Sequence, residues 1–265
     1  MNSSDKELRE TLDFAMRLAR DAGVITLRYF KGSFTPERKR DNSFVTIADR
    51  EVESFLRQQI ENDFPDDGIL GEEEGEKRGK SDRRWIVDPI DGTYSFVHGV
   101  PFYAVLIGLE VNGQSILGAV NLPALKETIC AARGLGCFWN EQRAHVSSVS
   151  SINEALLLGT DFGTCERYGF RSAADSLQQK AGARRTWGDA YGHVLVATGR
   201  AEIMLDPVMN VWDCAALLPI VEEAGGTFTD WQGAPRIDGG NAISTNGKLF
   251  DEVMATIRGA KGQTQ

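Results

Sequence analysis

Trp85-Ile86-Val87-Asp88-Pro89-Ile90-Asp91-Gly92-Thr93 joins a short apolar run to two carboxylates. Trp85 to Val87 predicts a strand, and Pro89 and Gly92 predict a turn that follows Asp88 directly. Two carboxylates three residues apart then lie at the C-terminal edge of a sheet, where one turn can converge them on a single cation. Backbone carbonyls in such a turn add ligands. All-oxygen sets of this kind suit magnesium, which takes carboxylates, retained waters and substrate phosphate. Taken alone, the same residues also describe a turn carrying two solvated aspartates.

Upstream, Leu8, Leu12, Ala15, Ala19, Ala22 and Thr26 recur at helical spacing and predict an amphipathic helix ending near Tyr29. A polar loop, Lys31 to Asn42, precedes a second helix from Ile47 to Phe64 with Val52, Phe55, Leu56 and Ile60 inward. Thr46-x-x-Asp49 has the spacing of a capping box at its start. Downstream lie short apolar runs at Ile69-Leu70, Tyr103 to Val111, Ser115 to Asn121 and Thr128 to Ala132, with a hairpin signal at Asn112-Gly113. Helices followed by an antiparallel-rich sheet are therefore expected. From Leu156 the pattern alternates. Strands are expected at Leu156 to Gly159, Glu202 to Leu205, Thr227 to Trp231 and Ala242 to Ser244. Helices are expected at Arg167 to Lys180, Ala190 to Thr198, Trp212 to Ala224 (closed by Gly225-Gly226) and Lys248 to Ile257, with a frayed tail from Gly259. The serine-rich stretch from Val146 to Ile152 divides an α+β part, 1–150, from an α/β part, 151–265, within what is expected to be one compact unit.

The chain has 265 residues and a formal charge of −9, from 38 acidic and 29 basic side chains. An acidic surface disfavours a nucleic-acid partner. Four cysteines without a Cys-x-x-Cys pair and three histidines argue against a zinc cage, and a reducing cytoplasm is expected. The N-terminus has no apolar signal core, and no apolar run reaches membrane-spanning length, so no membrane partner is expected. Gly134-x-Gly136 lacks the third glycine of a dinucleotide loop. Further carboxylates stand in suggestive places. Glu72-Glu73-Glu74 follows the Ile69-Leu70 strand, and Asp213 opens a helix, where a first-turn aspartate also suits the helix dipole. Asp49 also suits a purely capping role.

At this point the motifs resemble a known family. The stretch Trp85 to Thr93, with Phe96-Val97-His98 after it, is similar to the first signature of the inositol monophosphatase family. Val211-Trp212-Asp213-Cys214-Ala215-Ala216, followed by Glu223-Ala224-Gly225-Gly226, resembles its second signature. Leu70-Gly71-Glu72-Glu73 and Val45-Thr46-x-x-Asp49 complete the set in order, so the resemblance runs from about Ala15 to Asn246. It implies a layered αβαβα sandwich of the sugar-phosphatase kind. It also implies a magnesium-dependent phosphomonoesterase with two to three ions per subunit, acting on a small phosphorylated substrate as a homodimer. Carried over by position, Glu72, Asp88 and the Ile90 carbonyl hold the first metal, and Asp88, Asp91 and Asp213 the second. The implied catalytic residues are Glu72, whose waters hold a third ion, Thr93, which positions the attacking water, and Asp49 behind it. Gly92 and the amides around Thr93 would receive the phosphate. The basic loop Arg38-Lys39-Arg40 is expected to be solvated.

Within the family, Arg185-Thr186-Trp187-Gly188-Asp189-Ala190-Tyr191-Gly192 resembles the histidinol-phosphate phosphatase branch, as does Ala197 to Ala201 with Asp206-Pro207. Histidinol phosphate carries an ammonium and an imidazole, which Asp189 and Asp206 could bind by charge-assisted hydrogen bonds. Asp206 also matches the position of a hydroxyl-binding carboxylate in inositol-type enzymes, so Asp189 discriminates better. Asp189 has an alternative role as helix N-cap. Trp187 is expected in the core, Tyr191 in the core or under an imidazole, and His98 and His193 in packing roles. An inositol monophosphatase of broad specificity and a non-catalytic metal- or phosphate-binding relative are the alternatives.

Overall fold

The computed structural model describes residues 3–32, 35–38 and 44–261. Among these, Ser3–Tyr29 and Ile47–Asp63 are the two long N-terminal helices. Leu12, Ala15, Ala19 and Ala22 from the first join Val52, Leu56 and Ile60 from the second over Trp85, Val87, Val105 and Ile107. These last four residues belong to an eight-stranded sheet whose neighbouring strands are antiparallel except at one place. That exception pairs Gly68–Gly71 with Arg83–Asp91 in parallel. The opposite face of the sheet, including Leu106, Val120 and Ile129, packs on Ala190, Val194, Leu217, Ile220 and Val221. Those residues lie on the helices Asp189–Ala197 and Leu217–Glu223, which form a middle layer. Phe228 and Ala242 close this layer from a second, five-stranded sheet. The far face of that sheet, with Leu157, Ile203, Leu205 and Ile243, rests on Leu177, Val253 and Ile257 of the outer helices. The order is helix, sheet, helix, sheet, helix, the αβαβα sandwich expected. The cluster around the middle layer draws side chains from both sides of the 146–152 stretch.

Local signals placed most elements correctly. Asn112 and Gly113, at φ 50° and 75°, form the two-residue hairpin between Ala104–Val111 and Gln114–Leu122. The departures have physical causes. The expected turn after Asp88 is instead a bulge inside a strand that continues to Asp91. The expected helix from 167 to 180 is two helices, Phe162–Arg167 and Arg171–Lys180, because Gly169 turns left-handed at φ 78° between them. The expected helix from 212 to 224 is Val211–Ala215 and Leu217–Glu223. Pro219 has no N–H to give the Ala215 carbonyl four residues back, and the Ser115 hydroxyl donates to that carbonyl instead, at 2.5 Å. The last helix runs on to Lys261 rather than fraying from Gly259, since Val253, Ile257 and Ala260 carry the buried stripe to its end. Part of the expected 31–42 loop is a strand, Glu37–Arg38, paired with Phe44–Val45. Lys39 and Arg40 lie outside the described residues.

Candidate active site

The bulge creates the site. In a regular strand, residues three apart point to opposite faces. Between Asp88 and Asp91 the strand advances three residues while its neighbour advances two, from Leu106 to Ala104. The extra residue restores both carboxylates to one face. Pro89, with no N–H for the ladder, is suited to this position. The parallel partner supplies a third carboxylate. Gly71 pairs with Val87, so Glu72 emerges beside Asp88 at the same sheet edge.

Glu72 is held from beneath by a buried ion pair that sequence reasoning missed. Glu53, fully buried on the second helix, accepts the amides of Glu73 at 2.7 Å and Glu74 at 2.9 Å. Arg57, one turn on, donates to Glu53 at 2.9 Å and also to the Gly75 carbonyl. The glutamate run is therefore an anchored hairpin turn rather than a solvated loop. The signal was the spacing: charges at 49, 53 and 57 share the helix face that carries Val52, Leu56 and Ile60. Asp49 completes its capping box through Oδ2, taking the Thr46 amide at 2.7 Å and hydroxyl at 2.6 Å. Its Oδ1 is buried without a partner.

Asp213 arrives from the middle layer. It accepts the Asn210 amide at 2.6 Å, forming the capping box of Val211–Ala215. The backbone after it lies almost on the sheet, over Gly108 and Gly118, which face each other across two strands. A Cβ on Gly118 would lie 2.0 Å from the Ala216 oxygen, and one on Gly108 2.8 Å from the Ala215 carbonyl carbon. The glycine pair thus lets this segment sink far enough to bring Asp213 to the bulge. One carboxylate oxygen each from Asp88, Asp91 and Asp213 lie within 4.8 Å of one another. Ile90, whose carbonyl was a predicted ligand, accepts the Thr93 hydroxyl there at 2.9 Å.

Electrostatics record the crowding. Burial, then the charges of Glu72, Asp91 and Asp213, push Asp88 well above the usual carboxylate range. Burial and then Asp189 do the same to Asp91, against the Ala190 amide, which donates to it at 2.7 Å. Burial raises Asp213 and Asp189 to about 7 each, and Asp49 to about 6. Carboxylates this close need a countercharge or protons.

A cavity of about 180 Å³ opens beside the cluster, lined among others by Asp91, Asp189, Asp206 and Asp213. Thr160 and Asp161, at the end of Leu156–Gly159, also line it and were not anticipated. Among the described residues, no lysine or arginine lines it. Asp189 is not the N-cap of its helix. Gly188 is, and Asp189 follows at φ 53°, its amide donating to Thr160 Oγ1 at 2.8 Å. Gly92, at φ 74°, leaves just enough room for it, since a Cβ there would meet Asp189 Oδ2 and the Phe102 oxygen at 3.0 Å. Trp187 is 38% exposed rather than in the core. Tyr191 is stacked on Phe102 at 4.7 Å, and His98 on Tyr94 at 4.6 Å.

The family model described as the inositol monophosphatase family matches residues 7–260. The chain belongs to that family. A histidinol-phosphatase from Chlorobaculum parvum is 46% identical over 248 residues, 93% of this chain and 96% of its own length. One from Mycobacterium tuberculosis is 40% identical over 254 residues, 94% of this chain and 98% of its own. Among solved structures of the family, an IMPase from Thermotoga maritima superposes with a TM-score of 0.85 at 32% identity, covering 96% of this chain and 99% of its own. No helix among the described residues is long and apolar enough to cross a membrane.

Proposed function

We propose that this chain is a magnesium-dependent phosphomonoesterase that hydrolyses histidinol phosphate to histidinol and phosphate, a step of histidine biosynthesis. The observation that carries the activity is the convergence of Asp88, Asp91 and Asp213 within 4.8 Å. Their oxygens are hard donors, and their mutual repulsion calls for cations. The donor set therefore fits magnesium, with Glu72 and the Ile90 carbonyl as further ligands. Held there, magnesium would neutralise phosphate charge and lower the pKa of a bound water.

The chain's own residues do the rest. The hydroxyl of Thr93 positions the attacking water, with the fully buried Asp49 behind it. Gly92, without a side chain, keeps the approach of the phosphate clear. Asp189 and Asp206 face the leaving group and pair with its ammonium. The similarity to the two histidinol-phosphatases supports this substrate, and a cavity lined by Asp91, Asp161, Asp189, Asp206 and Asp213 supports a cationic leaving group. The structural likeness to the Thermotoga maritima IMPase supports an inositol-type reading as the second choice. Phosphate release from histidinol phosphate, inositol 1-phosphate, fructose 1,6-bisphosphate and adenosine 3′,5′-bisphosphate separates the two. Histidinol phosphate should show the highest kcat/KM, and comparable turnover of inositol 1-phosphate would overturn the assignment.

A further inference from the structure

Asp206 lies at the end of the strand Ile203–Asp206, where it lines the cavity beside the carboxylate cluster. It is only 5% exposed, so most of its surface is turned into the protein. What it meets there is a chain of buried polar side chains. His193 Nε2 lies 3.2 Å from Asp206 Oδ2, and His193 Nδ1 lies 2.6 Å from Ser244 Oγ. Both His193 and Ser244 are fully buried. His193 sits on the middle-layer helix, with its ring 5.5 Å from that of Phe228. Ser244 comes from the strand Ala242–Thr245. The Trp231 indole N–H, at 3.0 Å, holds the main-chain carbonyl of Asp206.

The chemistry of these groups sets their roles. An ionised carboxylate only accepts, so the proton between His193 and Asp206 belongs to Nε2. Ser244 engages the other ring nitrogen and fixes the ring's orientation. One oxygen of Asp206 is thereby tied to the interior. The other is held at a set place against the cavity.

We propose that His193, fixed by Ser244, is a positioning residue that sets leaving-group specificity by holding Asp206 in the orientation that meets the alcohol part of the substrate. This rests on the assignment of Asp206 to the leaving-group side of the site. The position of His193 makes the claim selective. It acts on the side of the cavity that receives the alcohol, with Asp206 between it and the substrate. Loss of the clamp therefore affects a substrate that uses Asp206 far more than one whose leaving group makes no such bond.

The test compares His193→Leu and His193→Gln with the unaltered protein on two esters, histidinol phosphate and p-nitrophenyl phosphate. Leucine keeps apolar bulk but offers no donor, whereas the glutamine amide can still donate to Asp206. A hydrogen bond to a charged group carries an effect of about tenfold or more. In His193→Leu, kcat/KM for histidinol phosphate should fall about tenfold further than for p-nitrophenyl phosphate, mainly through KM. His193→Gln should recover most of that difference. A purely structural role would lower both esters alike and would not be rescued by glutamine, and that result overturns the proposal. If His193→Leu does not fold, Ser244→Ala serves instead, with a smaller loss of the same selectivity expected and an unchanged ratio counting against it. Should the unaltered protein prefer another ester, the proposed substrate fails. The clamp is then tested on the preferred ester against p-nitrophenyl phosphate with the same outcomes.

Discussion

Gly118→Ala tests whether the depth at which the Asp213 segment packs on the sheet controls the site. The added Cβ would stand 2.0 Å from the Ala216 oxygen and 2.8 Å from its carbonyl carbon. Both contacts are to backbone, so no side chain can swing aside. Reaching even a tight 3.0 Å contact requires the sheet and this segment to part by about 1 Å. Asp213 is three residues before Ala216 on the same segment and would move away from Asp88 and Asp91 with it. Overpacking of this kind costs about 1–3 kcal/mol of stability. A misplacement of about 1 Å in a catalytic array lowers rate by about 100-fold. Gly113→Ala is the control. Its Cβ meets nothing within 4 Å, but φ of 75° makes the substitution cost about 1–2 kcal/mol. The two variants should therefore melt at similar temperatures, while only Gly118→Ala loses about 100-fold in kcat/KM for the preferred ester and needs more magnesium for half-maximal rate. A Gly118→Ala protein with kcat/KM within about threefold of wild type and an unchanged magnesium requirement would refute the link between packing depth and Asp213.

Further predictions follow from the same geometry. Asp91→Asn should abolish phosphate release yet leave circular dichroism unchanged, because an asparagine oxygen can still accept the Ala190 amide; retained turnover would contradict the carboxylate scheme. Glu53→Ala strands the buried Arg57 and frees two turn amides. It should cost about 3–5 kcal/mol in denaturant unfolding and weaken magnesium binding about 10–100-fold by calorimetric titration. The raised carboxylates also predict a pH dependence. Asp213 and Asp189 at about 7 and Asp49 at about 6 all stand above their ordinary 3.8. Their contribution to folding is complete below about pH 4 and is lost as pH rises through about 6 to 7. Magnesium-free protein should thus melt lower at pH 8 than at pH 5, and magnesium should raise Tm more at pH 8. The opposite order in a pair of melting series would show that burial and crowding do not raise these groups.

The clustered carboxylates were legible because each belongs to a short motif: Asp88 and Asp91 bracket Pro89-Ile90, and Asp213 falls in a helix start. Their partners were not. Glu53 and Arg57 read as ordinary helix charges until the strand pairing that places Glu72 above them is known. Thr160 and Asp161 follow a strand with no marking of their own and reach the cavity only in the fold, where Gly188 packs on Thr160 so closely that a Cβ would lie 2.2 Å from Thr160 Cα. For Asp189 the sequence left a pocket carboxylate and a helix cap both open, and only the fold, in which its amide donates to Thr160, places it left-handed just after the cap.

By itself, the sequence determined the elements whose causes are local: the apolar stripes of the helices, the Asn112-Gly113 hairpin, the capping box at Thr46 and Asp49, and the family signatures. Even the bulge has a local mark in Pro89, although the local pattern there predicts a turn. Only the tertiary structure decided which carboxylates face one another. That outcome depends on a parallel register between residues 71 and 87 and on the close approach of Ala215 and Ala216 to paired glycines. The placing of Asp206 depends likewise on a histidine, itself held by Ser244, reaching it from the middle helix layer. Each of these is a contact between segments far apart along the chain. The energies that choose them arise from burial and packing between layers, which no local window of sequence contains.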